Sequence, residues 1–411
     1  MRIGFLSQPA HTVLPPAGSL EIWTREVARR LAERGHDVSI YGTRVRGQPD
    51  QVSDGIAYRF VDHDIDARLA RGIRPVHRVL PRDRPFFASP AHPLTYWLQA
   101  ARRIARDRCD VVHIYNYSQA LPFVRRASPR ATIALHMQCE WLSQLARGMI
   151  ARRLARADLV LGCSEYITGK IRQRFPGLGG RMATLYNGVE TGNGTNGTDR
   201  GERAGGLHLL HVGRISPEKG QHVLFEAFNE LVAEHPDLTL TLVGEEALIP
   251  REMAVDLFAD PEVANLGEYY EGSYLERVKA SLSEHARERV RFAGRVSHEQ
   301  ASAYYRDADV FVFPSFFEAM PIPPIEAMAA GVPVVGSAVG GMVESVRDGE
   351  TGLLVPRGDA GALAGALRRL IADADLRAAF GSAGRRAAAE RFSWDAVCDA
   401  FLELAYRPAH R

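Results

Sequence analysis

Phe313-Pro-Ser-Phe-Phe-Glu318-Ala-Met-Pro-Ile-Pro-Pro-Ile-Glu326-Ala-Met-Ala-Ala-Gly331-Val-Pro-Val-Val335 is the stretch whose reading decides the fold. The run Asp309–Phe313 is β-branched and aromatic, and reads as a buried strand. Ile325–Ala330 is rich in helix formers and is stopped by Gly331 and Pro333. Pro323 and Pro324 suit a first helical turn, where their missing N–H groups would be unpaired anyway. Glu318 is thereby placed on the strand-to-helix loop and Glu326 in the helix's first turn, both at the positive end of the macrodipole. Such an end ordinarily takes phosphate. Two carboxylates there favour a partner rich in hydroxyls, with its phosphates held by backbone and by cations from elsewhere. Taken alone, the pair reads as ordinary first-turn acids that stabilise a helix.

Working outward, strand and helix patterns alternate. Upstream lie a strand over Leu207–Val212, the turn Gly213-Arg214-Ile-Ser-Pro-Glu-Lys219-Gly220, a helix over Gln221–Glu234 and a strand over Leu238–Val243. An acidic stretch from Gly244 to Glu288 interrupts this alternation. Arg289–Ala293, Ser297–Arg306 and Val310–Phe313 then restore the strand–helix–strand order. The amino-terminal half opens the same way. Strand Arg2–Leu6 leads through a Pro-rich loop to a helix over Ser19–Arg34, with Leu20, Trp23, Val27 and Leu31 near the 3.6-residue period, and then to strand Asp37–Tyr41. No Gly-x-Gly-x-x-Gly follows that first strand, so nothing there points to a dinucleotide. Asp110–Tyr115, Thr132–His136 and Asp158–Cys163 read as strands, Trp141–Arg156 as a basic helix, and Ser164 as the N-cap of a helix to Arg174. Thr191–Gly206 is rich in Gly, Asn and Thr without periodicity and reads as a linker. A closing helix covers Asp395–Tyr406.

The spacing Glu-x7-Glu before Ala-Met-Ala-Ala-Gly-Val-Pro-Val-Val, together with Gly340-Gly341-Met-Val-Glu344 and Asp348-Gly349-Glu-Thr-Gly352-Leu-Leu-Val, resembles the signature of family 4 retaining nucleotide-sugar glycosyltransferases. The resemblance extends over nearly the whole chain. It implies an α/β, GT-B architecture of two doubly wound domains facing across a cleft. Residues 1–190 would form the acceptor-side domain, 191–206 the linker, 207–392 the nucleotide-sugar domain, and 393–411 a helix returning to the first domain. By the same resemblance Arg214 and Lys219 hold the donor diphosphate. Two such cations alone would read as solvated loop residues, but a planar fork and a point charge suit a leaving group gaining negative charge. Glu326 and Arg295 would take the nucleotide and its ribose. Glu318 and the backbone of Ala319, Met320 and Pro321 would take the sugar. His136, at the end of its strand, would reach the donor sugar, although a lone histidine there is ordinarily structural. Gly18 and Ser19 would lie over the cleft. The chain departs from the family pattern at Ala319, where glycine is usual, at Gly18-Ser19, where a glycine pair is common, and at Tyr186, which replaces proline before Asn187-Gly188. Pro321, Pro323 and Pro324 remove three N–H donors from the loop.

The function implied is retaining transfer of a sugar from a nucleotide diphosphate-sugar, a UDP-sugar first among them, to a hydroxyl of a small-molecule or glycan acceptor in bacterial biosynthesis. A membrane-associated transferase with a lipid-linked acceptor, a nucleotide-sugar binder without turnover, and a sugar-phosphate phosphorylase or nucleotide-sugar hydrolase of the same fold are the alternatives. No cofactor is implied, and no acidic pair for a metal stands out. The 411 residues suffice for two cored domains, with 46% apolar and 24% charged side chains. There is no leader or membrane-length apolar run, which makes the cytoplasm, with peripheral attachment at the inner membrane face, the expected location. Cys109, Cys139, Cys163 and Cys398 lack metal-type spacing and are expected as free thiols. Charge is split: residues 1–190 carry 29 basic and 16 acidic side chains, net +13, and the remainder 22 and 33, net −11. Arg68–Phe87 interleaves Arg and His with apolar residues, as a solvated loop or an anionic-membrane contact would. Expected partners are the nucleotide-sugar donor, the acceptor and an anionic membrane surface, with no nucleic acid, in a monomer or homodimer.

Overall fold

The computed structural model describes residues 1–9, 11–14, 18–45, 47–73, 81–89, 92–191, 206–258 and 260–406. The linker expected at 191–206 and the centre of the Arg68–Phe87 stretch lie largely outside them. The chain divides into two compact units, Met1–Gly188 with the helix that starts at Trp394, and residues 189–393.

In the first unit eight strands form one sheet: β1 (Arg2–Leu6), β2 (Asp37–Thr43), β3 (Gln51–Ser53), β4 (Ile56–Val61), β5 (Val111–Tyr115), β6 (Thr132–Met137), β7 (Leu159–Gly162) and β8 (Met182–Thr184). Their order is β3-β4-β2-β1-β5-β6-β7-β8, and every pair is parallel except β3 with β4. The strands read as continuous apolar runs because crossover helices cover both faces of a parallel sheet. The helix Ser19–Glu33 buries Trp23, Val27, Ala28 and Leu31 against it. Gly35, at φ +82, then reverses the chain into β2. The closing helix Trp394–Tyr406 packs on the same unit. Phe401 lies 5.6 Å from Phe5 and 5.5 Å from His113, and Arg34 reaches Asp399 at 2.6 Å and Asp395 at 3.1 Å. Burying an aromatic ring of this kind contributes about 1.5–3 kcal/mol, whereas the exposed ion pairs contribute about 0–1.

The second unit has six parallel strands: β9 (His208–Val212), β10 (Thr239–Val243), β11 (Val290–Gly294), β12 (Val310–Phe313), β13 (Val334–Ser337) and β14 (Gly352–Val355), in the order β11-β10-β9-β12-β13-β14. This is a doubly wound sheet, with the strand order reversing between β9 and β12.

Two helices differ from the sequence reading. The basic segment 141–156 is two helices, Trp141–Gln144 and Arg147–Leu154, because Leu145 turns extended (ψ 165) and the amide of Ala146 is taken by Asp83 O. The helix after β12 runs Ile322–Ala329, so Pro323 and Pro324 fall in its first turn as their missing donors suggested, but Glu326 falls past that turn. Its prolines fix φ at a helical value and leave no donor to satisfy, so the helix starts as soon as Pro321 caps it.

Candidate active site

In the second unit the crevice of a doubly wound sheet opens between the loops after β9 and β12, where the order reverses. Those loops carry Arg214, Lys219 and Glu318. They are knitted together at two points. Phe316 N donates to Glu218 O at 2.8 Å, and Gly220, at φ +72, lies so close to Pro314 that a Cβ would sit 2.0 Å from its carbonyl oxygen. Only glycine satisfies both the conformation and the approach.

The centre of the crevice is an ion pair. Lys219 Nζ donates to Glu318 Oε1 at 2.5 Å, with side-chain exposures of 15% and 10%. The ammonium also lies 5.3 Å from the Phe313 ring, which stacks on His211 at 5.6 Å. His211 is fully buried between Val312 O and Gln221, and burial pushes its pKa down to about 4, so it is a neutral strut. Lys219 retains two further N–H donors. Arg214 is 41% exposed and is held from below. Its Nη2 donates to Glu218 Oε1 at 2.9 Å, Ser216 Oγ donates to the same oxygen at 2.7 Å, and Gln221 donates to Arg214 O at 2.8 Å. Glu218 is 2% exposed, so an acid beneath the turn aims the guanidinium outward.

Glu326 does not sit in the first turn, as the sequence suggested. With the helix beginning at Ile322 it is the fifth residue, and the first turn holds no acid. Tyr305 Oη donates to Glu326 Oε2 at 2.7 Å and His298 Nδ1 lies 3.4 Å from Oε1, so the carboxylate is oriented from the neighbouring helix His298–Asp307. Pro323 and Pro324 leave this helix N-terminus poor in N–H donors. Arg295, just past β11, is exposed and pairs with Glu245 at 3.2 Å. The loop Ala319–Pro321 is fixed by the second glycine turn: Gly341 N donates to Glu318 O at 3.0 Å, and a Cβ on Gly341 would lie 2.2 Å from Ala319 O. Met320 is buried, its sulfur accepting from Ser345 Oγ at 3.6 Å.

In the first unit His136 is not a surface group. It is 0% exposed, with Nδ1 3.1 Å from His113 Nε2 and Nε2 3.1 Å from Leu185 O, and its ring edges onto Trp23 at 5.4 Å. Burial holds its pKa near 3. The inward face of β6 turns the ring into the core of this unit, the structural placement ordinary for a lone histidine. Gly18 is the N-cap of the helix Ser19–Glu33, accepting from Ile22 N at 3.0 Å, and Ser19 opens that helix. The nearby Glu21 is 2% exposed, and desolvation raises its pKa against the pull of His11.

Sequence reasoning missed Glu218, Gln221, His298 and Tyr305. Glu218 carried a signal, standing four residues after Arg214 in a tight turn; Tyr305 carried none, being 21 residues from Glu326. Among the described residues no cluster of three His, Cys, Asp or Glu could hold a metal ion, and no helix is long and apolar enough to cross a membrane. The cysteines are free thiols.

Residues 20–193 match the model of Glycosyltransferase Family 4, and residues 199–387 that of Glycosyl transferases group 1. The chain is 30% identical to D-inositol 3-phosphate glycosyltransferase of Streptomyces avermitilis over 96% of its own length and 84% of the relative's. Among solved structures it superposes on sucrose-phosphate synthase from Thermosynechococcus elongatus with a TM-score of 0.70 at 22% identity, covering 100% and 99% of the two chains. It superposes on Anabaena HepE in complex with UDP-glucose with a TM-score of 0.67 at 19% identity, covering 98% of each. Two doubly wound α/β domains carrying both family signatures place the chain in the family 4 glycosyltransferases of GT-B fold, enzymes that transfer sugars from nucleotide-sugar donors.

Proposed function

We propose that the protein moves a glycosyl unit, with retention of anomeric configuration, from a UDP-sugar to a hydroxyl of a small-molecule or glycan acceptor. The Lys219–Glu318 pair at the switch point carries the reading. Lys219 keeps one N–H on Glu318 and offers two to the diphosphate, beside the fork of Arg214. Glu318 then accepts sugar hydroxyls with its remaining lone pairs, so one side-chain chain couples sugar recognition to leaving-group charge. The C1–O bond to the diphosphate breaks and a C1–O bond to the acceptor forms. The acceptor proton passes to the departing diphosphate, whose charge the two cations stabilise. An ion-paired carboxylate is a poor nucleophile, which favours attack on the leaving-group face over a glycosyl-enzyme. Glu326, oriented by Tyr305, takes the ribose hydroxyls, and Arg295 the nucleotide beside it. Arg214 and Lys219 serve where a metal would otherwise neutralise the diphosphate, so no cofactor enters the reading. HepE, solved with UDP-glucose, shares the fold and makes UDP-glucose the first donor to test. The test is turnover of UDP-, GDP-, ADP- and dTDP-sugars with and without sugar acceptors, the product anomer being read by NMR. Nucleotide release that requires acceptor and yields the donor's anomer supports the reading. Binding without release, or an inverted product, contradicts it.

A second reading, that the acceptor is lipid-linked, is favoured by one surface. The helix Asp64–Ile73 exposes Ile65 and Leu69, 58% and 56% accessible, on one face beside exposed Arg68 and Arg71. An apolar pair flanked by arginines suits an anionic bilayer. Co-sedimentation with phosphatidylglycerol vesicles at low salt, lost at high salt and in Ile65→Ser/Leu69→Ser, would support it. Indifference to vesicles at low salt would remove it.

A further inference from the structure

The segment between β10 and β11 packs into the core of the second unit through Ala254, Val255, Val263, Leu266, Tyr274 and Val278. It touches both loops of the crevice. On the β9 side, Leu266–Tyr270 packs against the turn Pro217–Lys219. There Tyr274 Oη accepts from His222 N at 3.1 Å and bonds His222 Nδ1 at 2.8 Å, so it caps the helix that follows Lys219. The His222 ring lies between Tyr269, at 4.6 Å, and Phe316, at 5.3 Å, with nearly parallel planes to each. On the β12 side, Phe258 packs on Phe317 at 4.4 Å. Arg357 closes the set: it pairs with Glu262, pairs with Asp260 at 2.5 Å, and donates to Phe316 O at 3.3 Å. Phe316 and Phe317 immediately precede Glu318. The segment therefore holds the backbone that carries one member of the Lys219–Glu318 pair and the helix start behind the other.

We propose that residues 251–258 and 260–280, joined through Arg357, form a clamp that sets the position of Glu318 against Lys219, making Asp260, Glu262, Phe258 and Arg357 positioning residues for glycosyl transfer. The inference rests on the reading of this crevice as the donor site. A clamp of this kind acts on chemistry more than on nucleotide affinity. The diphosphate meets Arg214 and Lys219 directly, whereas the sugar meets Glu318 on the clamped loop, and small displacements of a reacting centre are costly in rate.

Two variants test it in the full chain. Arg357→Met opens the joint on one side. Asp260→Asn/Glu262→Gln opens it on the other and retains the cap that Asp260 supplies to Glu262 N. Hydrogen exchange of the peptide spanning 314–321 is measured first, because it needs no turnover. Exchange there is expected to rise about fivefold or more in both variants. With UDP-sugar and acceptor, kcat is expected to fall about ten- to a hundredfold while the Kd for UDP stays within about twofold and the melting temperature shifts little. Unchanged exchange in both variants overturns the clamp, as does loosened exchange with unchanged kcat, or a loss of UDP affinity that equals the loss of rate. A wild-type protein that turns over no nucleotide-sugar would sink the donor-site reading instead, and the exchange experiment would still decide whether the loop is held by this segment.

Discussion

Replacing Lys219 by methionine keeps the length and apolar stem of the side chain over Phe313 and removes only the ammonium. Two consequences can be sized separately. Catalytically, on the proposed donor reading, the substitution deletes the point charge that would face the departing diphosphate. A charge-assisted hydrogen bond is worth about 1.5–3 kcal/mol, which corresponds to a loss of about ten- to a hundredfold in kcat/KM. Structurally, it orphans Glu318. Breaking a fully buried pair costs about 3–5 kcal/mol, whereas exposed pairs are worth about 0–1. With exposures of 15% and 10% and a carboxylate that opens onto a ligand crevice, about 1–2 kcal/mol is the reasonable figure. For a unit of this size that lowers the melting temperature by about 2–8 °C. Steady-state release of UDP gives the first quantity and calorimetric melting the second. Lys219→Met/Glu318→Gln should recover part of the stability lost in Lys219→Met, because it removes the orphaned charge, while recovering none of the activity. Activity in Lys219→Met within about threefold of wild type, with the fold intact, would refute the assignment of Lys219 to the leaving group.

Gly220→Ala is expected to cost about 1–3 kcal/mol and to weaken UDP binding, because its φ of +72 and its approach to Pro314 O admit no Cβ; an unchanged melting temperature would contradict that geometry. Stability should begin to fall as the pH drops below about 6.5. His211 and His222 are held near pKa 4 by burial, so the unfolded chain binds protons that the folded chain refuses. Stability is then fully present above pH 6.5 and falls by about 3 kcal/mol per ring as the pH approaches 4, which urea midpoints across that range would show. A flat profile would mean that the rings are solvated. Transfer is expected to persist in EDTA within about twofold, with the diphosphate charge met by Arg214 and Lys219; a loss restored by added magnesium would assign that role to a metal.

The architecture was legible because its signals are local. Val310–Phe313 is apolar at every position, Ser164 caps the helix it precedes, accepting from Ile167 N at 3.2 Å, and Gln221–Glu234 runs between the residues its pattern predicts. Where two local signals competed, the geometry decided. The prolines after Pro321 read as a loop by their lost donors but as a helix start by their fixed φ, and the second property prevailed. The site was legible only in part. Arg214, Lys219 and Glu318 fall on the two loops that the strand order places at the crevice, and their positions follow from strand ends. Glu218, four residues from the Arg214 it aims, was within reach of a local reading, but the partners supplied from distant elements were not. Tyr305 orients Glu326 from another helix, and Asp260 and Glu262 hold Arg357 from about a hundred residues away. For His136 the strand end was legible and the direction of the ring was not. The side that β6 turns toward the core is set by Trp23, His113 and Leu185, which come from elsewhere in the chain.

Calorimetric titration of UDP into wild type, Glu318→Ala and Glu326→Ala tests the division of labour in the crevice most directly. Glu326, oriented by Tyr305 from the neighbouring helix, is assigned to the nucleotide, so its loss should weaken UDP by about ten- to a hundredfold. Glu318 is assigned to the transferred sugar, so Glu318→Ala should bind UDP nearly as wild type does, or slightly better once Lys219 is freed, while kcat with the UDP-sugar collapses. Equal loss of UDP affinity in the two variants would contradict the account, and would make the pair a structural feature of the helix rather than two separate contacts.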